Sequence, residues 1–123
     1  MTLLLIGVGG FFGAIARYLV DGWVSEAVRG SFPWGTLVVN ASGSLLLGLL
    51  FALAVERASL PADLRGPLGI GFLGAYTTFS TYMLESLRLV EDGALAFGVV
   101  NVLGSVAVGL VAMGAGLAIG RAL

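Results

Sequence analysis

Between Gly69 and Glu85 the chain reads GIGFLGAYTTFSTYMLE, a run apolar enough for a bilayer that carries hydroxyls and aromatic rings at helical spacing. Phe79 and Tyr82 stand three residues apart, on one face of a helix, with Ser80 and Thr81 between them. Ring edges and hydroxyls without a formal charge make a lining that can handle an ion. Just upstream, Gly69, Gly71 and Gly74 run into the β-branched pair Thr77 and Thr78, so helix propensity is poor in the middle of the run. A membrane helix interrupted there frees carbonyls and amides, which survive in hydrocarbon only when buried in protein or lining a cavity or ion site. The interruption is therefore a candidate functional element.

Three further groups could act beside it. Thr36, Asn40, Ser44 and Gly48 repeat every four residues and draw one polar or small stripe along an otherwise Leu and Val surface. Interhelical hydrogen bonding accounts for Ser44 as readily as an ion does. Asn40 weighs more, because an amide at mid-membrane is costly without partners or a ligand. Asn101, Ser105 and Gly109 repeat the device nearer the C-terminus. Arg17 continues a stripe with Gly9 and Gly13; the glycines read as a packing face, and Arg17 either faces a vestibule, snorkels, or pairs with Asp21 one turn on. Glu85, one turn after Thr81, is equally a solvated helix-end charge and a group guarding ion access.

Much chemistry is excluded. The chain has no cysteine and no histidine, hence no thiolate, disulfide or imidazole, and no enzyme is expected. With no lysine and a net charge of -1 it has no basic footprint for nucleic acid. Gly69-x-Gly71-x-x-Gly74 fits a dinucleotide fingerprint, but no strand precedes it.

The elements that must position these residues follow from charge spacing. Of 123 residues, 59% are hydrophobic and only 11% charged, and the charges fall in narrow clusters. The uncharged runs between them predict four transmembrane helices in a single domain, about 3–24, 34–55, 66–90 and 94–122, each near the roughly 20 residues that cross a bilayer. No cationic region precedes the first apolar run, which reads as a span rather than a cleaved leader. Trp23, Phe32 and Trp34 mark one interface, and Pro33 opens the second helix. Arg57, Arg65 and Arg121 fall on one side, against Arg29, Arg88 and Arg17 on or toward the other. Such a balance predicts insertion in both orientations, and four helices enclose too little for a pathway, so an antiparallel homodimer is expected.

With these residues in place, the chain resembles the Fluc (CrcB-type) fluoride channels over nearly its whole length. The resemblance rests on Gly9-Gly10-x-x-Gly13-Ala14-x-x-Arg17-Tyr18, on Thr36-Leu37-x-Val39-Asn40-x-x-Gly43-Ser44, on Gly71-Phe72-x-Gly74-x-x-Thr77-Thr78-Phe79-Ser80-Thr81, and on Asn101. It implies an all-α membrane protein with the third helix broken at mid-membrane, assembled as a dual-topology antiparallel dimer with two pores. It implies passive release of cytoplasmic fluoride across a bacterial inner membrane, and a structural sodium ion on the backbone carbonyls of Gly74 and Thr77. The pore aromatics map onto Phe79 and Tyr82, the pore amide onto Asn40 and the vestibule cation onto Arg17; Ser80, Thr81 and Ser105 join the pore, with Asn101 and Glu85 as further candidates. Tyr82 departs from the phenylalanine usual in the family, which leaves open whether its ring edge or its hydroxyl meets the ion. Neutral donors suit a small, tightly hydrated anion that a fixed cation would trap. A proton-coupled exporter of the small multidrug kind has similar length, but it needs a mid-membrane carboxylate, and the first helix has none before Asp21.

Overall fold

In a computed structural model covering Met1–Leu123, every regular element is helical. Helix α1 is Thr2–Ala27, about a turn longer than expected, because nothing in the sequence interrupts it before Gly30. Helix α2 opens at Trp34 behind Pro33, is α-helical to Phe51, and widens into a π-turn over Ala52–Glu56. Helix α3 is a wide π-helix over Gly66–Leu73 that closes as one α-turn over Gly74–Tyr76. Thr77 and Thr78 are then extended, and α4 follows as Phe79–Glu91. Helix α5 is Leu95–Ala122.

The third span is thus broken, at the two threonines. The glycines of α3, which lower helix propensity just as the threonines do, stay inside the helical segment, and of the three only Gly71 packs closely on α1. Gly9 and Gly13 on α1 lie against the backbones of Pro67 and Phe72, and Gly71 lies against Ile6. A Cβ added at Gly13 would fall on the Phe72 carbonyl, so α1 and α3 touch main chain to main chain. Gly48, Gly116 and Gly120 likewise bring α2 and α5 together at Met113, Leu45 and Ala52.

Three helices, α1, α2 with its π-turn, and α5, are long and apolar enough to cross a membrane. Each half of the broken helix is too short to do so alone. Only 18 of 123 residues are buried, while leucines, valines and phenylalanines cover the outside. That is the reverse of a water-soluble fold and describes a multi-pass membrane protein whose surface meets lipid or another chain. The interior that exists lies beside the break, where Val39, Leu73 and Tyr76 pack together and Phe72 stacks on Tyr76 at 6.0 Å.

Candidate functional site

Asn40 on α2 stands opposite the break. Its Nδ2 donates to the Thr78 carbonyl at 3.0 Å, and the Thr78 N–H donates to Asn40 Oδ1 at 2.8 Å. The amide side chain thereby replaces the helix partners that the extended backbone has lost. Thr78 also caps α4, its hydroxyl accepting the Thr81 N–H at 3.3 Å. On the other side, the Thr77 hydroxyl and N–H both return to the Leu73 carbonyl, at 3.0 and 3.1 Å.

One consequence concerns the carbonyls. In an unbroken helix Gly74 would receive the Thr78 amide and Thr77 the Thr81 amide. Both amides are taken by side chains, so both carbonyls keep acceptor capacity. Gly74 and Thr77 line a cavity of about 280 Å³ together with Asn40, Ser44, Phe79 and Tyr82. Unwound carbonyls of this kind suit a hard monovalent cation. No cluster of acidic, imidazole or thiolate side chains could hold a metal elsewhere in the chain.

Beyond the break, Phe79 and Tyr82 form an edge-to-face pair with centroids 6.0 Å apart. Their settings differ: Phe79 is 73% exposed and Tyr82 only 8%. Ser80 is exposed as well, and Thr81 is half-buried. Thr81 lines a second cavity, of about 240 Å³, shared with Arg17, Asp21, Thr36 and Thr78. Arg17 makes no ion pair with Asp21; the sole ion pair joins Arg121 to Glu56 at 2.9 Å, outside this site. The buried Arg17 Nε has no hydrogen-bond partner, so a cation lies beside the break with its charge unmatched by contact.

Glu85 is half-buried and accepts a hydrogen bond from Thr36 of α2. Asn101 is 2% exposed and bonded at both ends of its amide: its Nδ2 donates to Ser86 Oγ at 2.8 Å and its Oδ1 accepts from Ser105 Oγ at 3.1 Å. Neither Asn101 nor Ser105 lines the cavity at Asn40 or the one at Arg17. The Tyr82 hydroxyl donates to the Val102 carbonyl of α5. The structure thus brings Asn40, Gly74, Thr77, Phe79 and Tyr82 around one cavity and joins Arg17 and Thr81 across a second. Asn101 and Glu85 sit in contacts between helices, and Ser105 bonds Asn101 one turn away on α5.

Sequence reasoning gave too little weight to three residues. Thr78 is the centre of the break, and its signal was present as a β-branched residue in N-cap position three before Thr81. Ser86 joins Asn101 to the Tyr82 carbonyl at 2.7 Å, but it belongs to no polar stripe and so gives no signal. Ser42 shares a hydrogen bond of 2.9 Å with the Tyr76 hydroxyl, and the stripe rule ignored it because it lies off the four-residue repeat.

Comparison of the sequence with known proteins gives the chain relatives. A family model described as CrcB-like protein, Camphor Resistance (CrcB), matches residues 4–117. A protein of Syntrophotalea carbinolica named fluoride-specific ion channel FluC is 43% identical over 123 residues, covering 100% of both chains. Proteins carrying the same name in Citrifermentans bemidjiense and Geobacter sulfurreducens are each 45% identical, over 98% of this chain and 98% of the relative in the first case and 99% and 98% in the second.

Proposed function

The chain belongs to the CrcB-like family, and from that premise we propose that it is a fluoride-selective channel that passively exports cytoplasmic fluoride and so relieves fluoride toxicity. It works in a bacterial inner membrane as a dual-topology antiparallel homodimer with two pores. The observation that carries this reading is the break at Thr77 and Thr78. It is held open by a neutral amide, leaves two carbonyls without their amides, and leads directly to an aromatic pair flanked by hydroxyls.

The chemistry of the residues fits the anion. Fluoride gives up its water only to donors, and here these are the remaining Asn40 N–H, the Ser80 and Thr81 hydroxyls and the positive edges of Phe79 and Tyr82. Arg17 raises the local anion concentration from the cavity it shares with Thr81. A structural sodium fits the carbonyls of Gly74 and Thr77, which would hold it. Its field, at about 10 Å and an effective dielectric near 20, favours an anion by roughly 1.7 kcal/mol.

A partner chain is supported by what one protomer leaves uncovered. Phe79 is 73% exposed and Ser80 lies open beside it, at the edge of the cavity that carries Gly74 and Thr77. A pore lining cannot face lipid, so a second copy must close it.

Fluoride-electrode recordings on liposomes holding purified protein test the reading. Fluoride efflux with chloride strongly excluded is expected, and comparable movement of chloride would refute selectivity. C-termini should be found on both sides of the membrane; a single side refutes dual topology. Exchanging sodium for a large organic cation should reduce efflux. Full activity in protein free of sodium would remove that ion from the account.

A further inference from the structure

The polar residues of α5 and the phenol of Tyr82 remain to be explained, and their partners assign them a shared task. We infer that Tyr82 is a positioning residue whose hydroxyl is committed to the Val102 carbonyl, and that with Asn101, Ser86 and Ser105 it forms a strut fixing the aromatic pair against α5. The inference rests on the fluoride-channel reading for its consequence, and on the hydrogen bonds alone for its existence.

Two links tie α4 to α5. One is the Tyr82 hydroxyl on the Val102 carbonyl. The other runs from Ser105 Oγ to Asn101 Oδ1, from Asn101 Nδ2 to Ser86 Oγ, and from Ser86 Oγ back to the Tyr82 carbonyl, at 3.1, 2.8 and 2.7 Å. Both links end on the same residue, one at its ring and one at its backbone. Tyr82, Ser86 and Asn101 are all buried, so their polar atoms have no water to fall back on and the partners must stay.

The geometry decides which part of Tyr82 meets an ion. A phenol has one proton to donate, and Val102 has it. What remains for the path is the ring, held edge-to-face with Phe79 at an interplanar angle of 83°. Phe79 is 73% exposed and has no such tether, so Tyr82 is the fixed member of the pair and sets where the two edges lie. Asn101 and Ser105, which the four-residue stripe offers as pore groups, act on the ion through Tyr82 and do not touch it.

Parallel links predict synergy. Tyr82→Phe and the near-isosteric Asn101→Leu should each lower fluoride efflux about threefold, and the double variant at least about thirtyfold, beyond the roughly ninefold of independent sites. Fluoride-over-chloride selectivity should fall in the same order, which a change in protein yield alone would not produce. A phenol that serves the ion directly would instead make Tyr82→Phe costly by itself, at tenfold or more, with Asn101→Leu merely multiplying; that result overturns the strut. A second measurement needs no transport. The tyrosine Fermi doublet in the Raman difference spectrum, wild type minus Tyr82→Phe, should report a strong donor in fluoride-free buffer and stay unchanged when fluoride is added. A doublet that moves with fluoride refutes the assignment. A wild type that passes no fluoride refutes the channel reading, while the doublet still decides the strut.

Discussion

The two halves of the broken helix are held in different ways. Helix α3 lies on α1 through glycines, with main chain against main chain at Gly9, Gly13 and Gly71. Helix α4 lies on α5 through side chains, with Tyr82, Ser86 and Asn101 making hydrogen bonds across the contact. A contact made by absent side chains tolerates no added atom, because the neighbour is backbone and cannot turn away. A contact made by hydrogen bonds in parallel can lose one and keep the other. The half that precedes the break is therefore stiff by steric necessity, and the half that presents the aromatics is fixed by partners that can be removed one at a time.

Gly13→Ala is the most severe way to break this contrast. Its Cβ would meet the Phe72 carbonyl carbon at 2.9 Å and the Phe72 Cα at 3.0 Å, so α1 and α3 must part. No folded protein should survive size-exclusion chromatography, a loss above about 4 kcal/mol. A folded, active Gly13→Ala protein would show that the glycine contact is soft. Asn40→Asp comes next, acting at the joint between the halves. The new carboxylate keeps an acceptor for the Thr78 amide but sets an oxygen against the Thr78 carbonyl, and it puts a negative charge in the proposed anion path. Efflux should drop by about a hundredfold or more, equal to roughly 2.7 kcal/mol. Wild-type efflux from such a variant would reduce Asn40 to packing.

Thr78→Ala tests the joint more gently. It deletes the cap on α4 and should cost about 1 kcal/mol, with efflux lowered several fold and restored by Thr78→Ser. Equal behaviour of the alanine and serine variants would mean that the cap contributes nothing. The smallest effect is expected at Gly7, whose added Cβ meets nothing within 4 Å on the same helix that carries Gly13. Gly7→Ala should leave efflux within about twofold and gain up to about 1 kcal/mol of helix stability. A damaged Gly7→Ala protein would mean that close approach spreads over the whole face of α1.

The contrast also separates what the sequence could tell from what it could not. Helix number and the existence of a break were legible, because charge clusters and poor helix formers are local signals. The place of the break was less so, since Gly69, Gly71 and Gly74 lower helix propensity just as Thr77 and Thr78 do, and only packing against α1 tells a glycine that loosens from one that lets helices touch. Asn40 stood out by the cost of a buried amide, yet its partner lies 38 residues away and no periodicity points there. Asn101 and Ser105 were found as a stripe, but which helix the stripe faced was invisible until Ser86 appeared opposite. Glu85 read equally as a solvated helix-end charge and as a group guarding ion access, and its donor Thr36 belongs to another element to which no spacing points.

Asn40 and Thr78 also set an order of events during synthesis. The chain emerges from its N-terminus, so Asn40 is made 38 residues before the backbone it will serve. An extended Thr77-Thr78 segment entering lipid alone would carry bare amides and carbonyls, which hydrocarbon does not accept. With α2 already in the bilayer, the Asn40 amide can supply partners to both Thr78 groups, so the break need not enter lipid bare. A chain rearranged so that the third span entered ahead of the second would meet the membrane with its break unattended, and its biogenesis, rather than its finished stability, would fail first.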